Sequence, residues 1–264
     1  MDTALEEIEF LALSANRVQV LDALREGRQT RRELVERTGA SQPTLGRILR
    51  DFTDRHWIER DGDGYAATAT GRLVAAEFTD LLETLETEKK LREVVQWLLT
   101  EEMGFDLRRL SDATITTPSQ TRPGAPVQRV LELLERAESV RIFSYAFNEQ
   151  SLDVIRRRTV EEGQTFRGVF SPAAVDALAH DSALRRRLHE LTDHEDAAVR
   201  LYDGEIPLAV TITDDVAHLF LRDENGLLRA AIDSDDPEVL AWAEARFERY
   251  WEESSSLDAE KLTE

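Results

Sequence analysis

The chain has 264 residues, 53 of them acidic and 33 basic, giving a net charge of −20, and it has no cysteine. That excludes disulfides, thiolate metal sites and thiol redox sensing. No apolar run reaches the roughly 20 residues of a membrane span, and the acidic start MDTALEEIEF lacks a secretory pattern, so a cytoplasmic protein with no membrane partner is expected. Lys89, Lys90 and Lys261 are the only lysines, and every other basic residue is arginine. An acidic, lysine-poor surface suits a cytoplasm of molar salt, where screening acts over about 3 Å and carboxylates keep a protein hydrated. The bland alternative is an acidic protein from a GC-rich genome.

In chain order, an apolar-rich helix is predicted over 4–13. A second starts at Ser14 or Asn16 and ends near Gly27. A short helix over 30–38 follows, with Thr30 and Glu33 spaced as a capping box and Gly39 placed for the left-handed turn that ends many helices. Ser41 caps the next helix, which runs to about Arg55. Pro43 is tolerated there because it lies in the first turn. Leu45, Ile48, Leu49 and Phe52 recur at helical spacing and should face inward, leaving Gln42, Thr44, Gly46, Arg47 and Arg50 outward. Two strands, 57–60 and 65–68, are joined by Asp61-Gly62-Asp63-Gly64, whose glycines suit a hairpin. This is the order of a winged helix-turn-helix.

Glutamine and arginine on such a helix can bond base edges in the major groove, and threonine can reach bases or phosphates. The expected DNA-binding residues are Thr30, Arg31, Ser41, Gln42, Pro43, Thr44, Arg47 and Arg50, with Arg60 reaching a phosphate from the wing. From Arg28 to Arg60 there are eight arginines against five acids, a net of +3 within a remainder of −23. Such a basic island marks a DNA face. The alternative is a small helical unit that binds protein.

A long helical stretch is expected over 72–103, its apolar spacing slipping across 86–90. It is read either as a dimerisation helix or as connector helices packed on the next domain. The Pro-, Thr- and Gly-rich segment 115–127 is a loop, after a short strand at 113–117. Helices are then predicted over 127–137, 149–162, 172–178, 182–191 and 237–251, the last capped by Asp236. Strands are predicted over 139–145, 166–170, 199–202, 208–213, 217–221 and 228–232. The early alternation implies parallel pairs covered by helices, and the later strands read as antiparallel hairpins. The polar tail 254–264 is expected to fray. The fold class is therefore α+β: a winged helix-turn-helix (1–71), a helical connector (72–112), and an α/β sensor domain with a mixed sheet (113–253).

Ligands of α/β sheets bind at strand ends, which makes Ser144, Tyr145, Asn148 and Ser171 the candidate ligand-binding residues, with ordinary loop positions as the alternative. His56, His180, His189, His194 and His218 are scattered, and no HExxH, GxSxG or P-loop pattern occurs. The triplets Arg156-Arg157-Arg158 and Arg185-Arg186-Arg187 are expected to make surface salt bridges rather than to bind an anion. Asp214-Asp215 suits a hairpin turn as well as a cation. No catalytic residue, metal or cofactor is expected.

The segment SANRVQVLDALREG, then TRRELVERTGASQPTLGRILRDF and the wing, resembles the winged-helix domains of halophilic archaeal transcription regulators. SVRIFSYAFNEQSLDVIRRRTVEEG and IPLAVTITDDVAHLFLRDENGLLRAAIDSDDPEVLAWAEARFERYW resemble the effector domain of archaeal methanogenesis-regulator-type proteins. That resemblance implies a fold similar to half of a phospholipase-D-like domain. The catalytic His-x-Lys of that superfamily is missing, because His218 is followed by Leu219 and Phe220. A sensor is therefore implied, not an enzyme. The expectation is a homodimeric, sequence-specific regulator of transcription that binds double-stranded DNA and senses a small molecule or a partner protein. The alternatives are a protein-interaction module of the transcription machinery and an enzyme acting on a phosphodiester.

Overall fold

The computed structural model describes residues 2–257, so residues 258–264 of the expected polar tail lie outside it. The chain forms two compact units, the first up to Glu86 and the second from Thr87. No helix among the described residues is long and apolar enough to cross a membrane.

The first unit holds α1 (Asp2–Ala12), α2 (Ala15–Glu26), β1 (Gln29–Thr30), α3 (Arg31–Thr38), α4 (Gln42–Asp54), β2 (Ile58–Asp61), β3 (Gly64–Ala67) and most of α5 (Ala69–Leu91). Its core gathers Leu21, Leu24, Leu34, Leu45, Ile48 and Phe52. Phe52 packs on Trp57 with ring centroids 5.7 Å apart. The four apolar residues of α4 face this core at helical spacing. The expected caps form. Thr30 accepts from the Glu33 amide while the Glu33 carboxylate accepts from the Thr30 amide at 2.7 Å, and Gly39 is left-handed at φ 66°.

Four details differ from expectation. The hairpin turn is two residues long, with Asp61 opposite Gly64. Gly62 takes φ 60° and Asp63 has no positive φ, as a type II′ turn requires. A third strand, β1, pairs with β3 through Gln29–Tyr65 and Thr30–Gly64. After α4, His56 sits at φ 57°, and the Trp57 amide donates to the Phe52 carbonyl at 2.9 Å, as does His56 to Thr53. This is a Schellman ending made without glycine. Finally, α5 stops at Leu91. Short 3-10 turns at Val95–Trp97, Thr100–Glu102 and Leu107–Leu110 replace the predicted helix. The Glu102 carbonyl accepts from Trp242 Nε1 at 3.1 Å and from Arg246, which ties this segment to α10. Leu91, Val94, Leu98, Met103 and Leu110 are all buried in the second unit's core, so this segment packs on that unit, though as 3-10 turns and not as helices.

The second unit is built on an eight-stranded mixed sheet. Its elements are β4 (Thr114–Thr116), α6 (Ala125–Arg136), β5 (Ser139–Ser144), α7 (Glu149–Glu162), β6 (Thr165–Phe170), α8 (Pro172–Ala179), α9 (Ser182–Thr192), β7 (Ala197–Leu201), β8 (Ala209–Ile212), β9 (Ala217–Arg222), β10 (Leu228–Ser234), α10 (Pro237–Glu253) and β11 (Ser255–Ser256). The order across the sheet is β11-β7-β6-β5-β8-β9-β10-β4. β5, β6 and β7 are parallel neighbours, and β8, β9 and β10 are antiparallel hairpins, as the helix and turn signals predicted. Side chains alternate between two cores. Phe143, Leu219 and Leu221 join Phe247 and Tyr250 of α10. Ile142 and Phe220 face Val130 and Leu134 of α6 and Leu152 of α7. The start of the expected frayed tail is ordered, because Ser255 and Ser256 pair with β7.

Asp214 of the Asp-Asp turn is engaged within the fold and not free for a cation. Its carboxylate accepts from the amides of Glu138 and Ser139 at 2.9 and 2.8 Å, pinning the start of β5. Five of the six triplet arginines make the expected salt bridges among the described residues. Arg156 reaches Glu161 and Glu190, Arg157 reaches Glu135, Arg158 reaches Glu162, and Arg187 reaches Asp153 at 3.0 Å.

Candidate functional site

The outward face of α4 runs through Pro43, Gly46, Arg47 and Arg50, which fall within one side of the helix at 100° per residue. Gln42 and Thr44 flank it. Gln42, Pro43, Arg47 and Arg50 are exposed, and Thr44 is half-buried. Ser41 caps the helix, its hydroxyl accepting from the Thr44 amide at 3.3 Å and lying 2.9 Å from the Thr44 hydroxyl. Thr30 is committed to its capping box, with Oγ donating to Glu33 at 2.8 Å. The Thr30 amide and hydroxyl hold the Glu33 carboxyl below its usual range.

The eight arginines of 28–60 divide sharply. Arg28 donates to the Asp61 carbonyl at 2.9 Å and pairs with Asp63, so it ties β1 to the hairpin tip. Arg32 pairs with Glu36, Arg37 with Glu26, and Arg55 with Glu7. Arg31 donates to the Tyr65 hydroxyl at 3.3 Å and lies over that ring. Arg47, Arg50 and Arg60 have no carboxylate partner among the described residues, and all are exposed. Three permanent positive charges thus stand free on α4 and β2. Counting residues along the sequence identified a basic island but not which of its charges are spent internally.

Gly46 adds to this face. A Cβ built there meets nothing within 4 Å, whereas at Gly71 it would lie 1.8 Å from the Trp57 carbonyl oxygen. Gly71 is demanded by packing. Glycine inside a helix destabilises it by about 1 kcal/mol relative to alanine, and nothing in the first unit's packing requires that sacrifice at Gly46.

The second unit has a cavity of about 50 Å³ at the carboxyl ends of β5 and β6. Ile142, Phe147, Ile155, Phe170 and Phe220 wall it, and Val127 sits at its rim. Phe147 stacks on Phe170 at 4.2 Å. Its polar lining is Ser144, Asn148, Ser151, Thr211 and Arg222. Of the four candidate ligand-binding residues, Ser144 and Asn148 reach the cavity, while Tyr145 and Ser171 are not part of its lining. Tyr145 packs against the α10 core instead, where burial pushes its phenol up against the opposing charge of Arg222. Three of the four also have structural roles. The Ser144 hydroxyl donates to the Ala146 carbonyl at 2.6 Å. Asn148 caps α7, and Ser171 caps α8. Arg222 and Thr211 were not identified from the sequence. The available signal is parity: His218, Phe220 and Arg222 share one face of β9, opposite Leu219 and Leu221.

Beside the cavity lies a buried polar trio. His218 is fully buried and its Nδ1–H donates to Asp233 at 2.5 Å. Asp233 also accepts from Arg129 at 2.5 Å. Burial opposes the charged carboxylate, but the bonds from His218 and Arg129 outweigh it and hold the carboxyl below its usual range. His218 Nε2 is buried without a hydrogen-bond partner, and its ring meets Phe220 edge-on at 4.5 Å.

Two family models match successive stretches of the chain. Residues 5–90 match the HVO_A0261 N-terminal domain. Residues 123–253 match the middle domain of the methanogenesis regulatory protein FilR1. Together they support an archaeal transcription regulator. No curated protein matches the chain. Among solved structures, the archaeal chromatin protein TrmBL2, described as showing a novel mode of DNA binding, is 17% identical; the match covers 95% of this chain and 98% of that one at a TM-score of 0.45. NucT from Helicobacter pylori is 15% identical over 55% of this chain and 98% of its own, with a TM-score of 0.44. Nuc from Salmonella typhimurium, a phospholipase D family member, is 13% identical with the same coverage and TM-score.

Proposed function

We propose that this chain is a homodimeric, sequence-specific DNA-binding regulator of transcription, and not an enzyme. In this reading the first unit is a winged helix-turn-helix, with α3 and α4 as the helix pair and β2–β3 as the wing. The observation that carries it is the set of free arginines, Arg47 and Arg50 on α4 and Arg60 on β2, on a chain whose acids outnumber its bases. Gln42, Thr44 and Arg47 read base edges. Arg31, Ser41, Arg50 and Arg60 contact phosphates, and Thr30 and Pro43 shape the approach. The open space over Gly46 lets the DNA come close to the backbone of α4.

A second copy is the expected partner of the exposed leucines. Leu73, Leu81 and Leu85 of α5 are 62%, 41% and 53% exposed, and apolar surface of this kind on a helix favours association. The second unit senses a small molecule and changes the spacing of the two DNA-binding units, which requires the ligand to favour one dimer geometry over the other. The acidic, lysine-poor composition supports a high-salt cytoplasm as the setting.

The test is a selection of genomic fragments at about 2 M KCl, where screening suppresses non-specific phosphate binding. Wild type is expected to enrich a few near-palindromic sites that Arg47→Ala does not. Enrichment by neither protein, with both folded, would favour a unit that binds protein instead of DNA.

A further inference from the structure

The cavity at the ends of β5 and β6 is mostly apolar, yet a guanidinium lines it. Arg222 donates to the Gly226 carbonyl at 2.8 Å. Its Nε is shut off from solvent and has no acceptor. No carboxylate pairs with it among the described residues, although the neighbouring Arg229 pairs with Asp223 at 2.7 Å. A buried donor left unmet on a charged group is among the costlier defects of a folded chain. In a protein this acidic it is easily avoided. No acidic side chain lines the cavity, and Thr211, itself 3% exposed, adds a hydroxyl. The N-terminus of α7 opens at the same place, with Asn148 and Ser151 in the lining, and a helix start adds positive potential.

Size and polarity narrow the ligand. A water-sized centre occupies about 10–15 Å³, so a volume of about 50 Å³ admits a body of about four non-hydrogen atoms. Aromatic and aliphatic walls reject a phosphate, which needs several donors. The planar fork of an arginine matches a carboxylate. We infer that this cavity binds a short-chain carboxylate, its hydrocarbon end against Ile142, Phe147 and Phe170 and its carboxylate on Arg222 and Thr211. The inference rests on the reading of the second unit as the sensing domain, and it supplies the class of signal.

The test measures thermal unfolding of the full chain with acetate or propionate, with propionamide as the neutral isostere, and with potassium chloride at matched ionic strength. The carboxylates are expected to raise the unfolding temperature and propionamide is not. Arg222→Met should weaken the apparent affinity roughly ten- to a hundredfold, the size expected for a lost charged hydrogen bond. Val127→Phe, at the half-buried rim, fills the cavity without touching Arg222 and should abolish the response. It keeps the test decisive if Arg222→Met does not fold. Equal stabilisation by propionamide, a response to chloride alone, a carboxylate response unchanged in Val127→Phe, or no carboxylate response would each overturn the inference. A parallel titration of the selected DNA with and without propionate separates the two ideas. Carboxylate binding without any change in DNA affinity keeps the site and removes the sensing role.

Discussion

The arginines on α4 and β2 of the first unit contrast with the arginine triplets of the second. In the second, Arg156, Arg157 and Arg187 lie against glutamates and aspartates on neighbouring helices, and Arg129 is locked to a buried aspartate. In the first, Arg28, Arg32, Arg37 and Arg55 are paired in the same manner, but Arg47, Arg50 and Arg60 are not. Most arginines of the described residues pair with a carboxylate. In the proposed reading, the cluster on α4 and β2 is left open to an anion from outside. Composition alone does not reveal this, since paired and free arginines count the same in net charge.

The comparison breaks most severely where pairing is buried. Asp233→Ala leaves His218 and Arg129 facing an empty position and is expected to destabilise the second unit by about 3–5 kcal/mol in urea unfolding. The same pair predicts a pH dependence. The folded carboxyl titrates below its unfolded value, so its contribution is fully present above about pH 4 and is lost as pH falls further. An acid limb that is unchanged in Asp233→Asn would contradict this.

Next in size is Arg47→Ala. It should weaken binding to a selected site by about 1–3 kcal/mol, read by fluorescence anisotropy, while stability stays within about 0.5 kcal/mol. A stability loss as large as the binding loss would return Arg47 to the class of structural arginines.

Gly46→Ala sharpens the contrast because its two effects have opposite signs. The fold should gain up to about 1 kcal/mol, measured by thermal unfolding, and DNA affinity should fall as the added methyl enters the space a partner occupies. Tighter DNA binding would refute the close approach. Smallest is Arg157→Ala. An exposed ion pair contributes about 0–1 kcal/mol, so unfolding should barely move and DNA binding not at all.

The local features were the legible ones. Thr30 with Glu33, Gly39, Ser41 and Asp236 each announce a helix boundary through one side chain acting within four residues, and each boundary forms within a residue or two. The parallel and antiparallel halves of the large sheet followed from the spacing of helices and turns. What the sequence hid is non-local. Leu91, Val94 and Leu98 keep helical spacing, but beyond Leu91 the chain turns in short 3-10 segments whose apolar side chains enter the second unit's core. β1 was missed because Thr30 serves at once as a strand end and a helix cap. His56 gave no sign of a left-handed ending, since a glycine is the usual marker. Among the candidate ligand residues, Ser144, Asn148 and Ser171 stood out for their chemistry at strand ends, yet each also bonds its own backbone neighbourhood. Arg222 shares a face of β9 with His218 and Phe220 by parity along the strand, but that this face meets the cavity follows only from the folded sheet.

The large sheet ends on one side at β11, two residues long, and on the other at β4, three residues long. A strand edge is a template on which another chain can grow, and brevity is one way proteins blunt it. With so few unpaired amides and carbonyls at either border, this sheet offers little for a neighbour to extend. Such brevity disfavours strand-by-strand polymerisation of crowded copies.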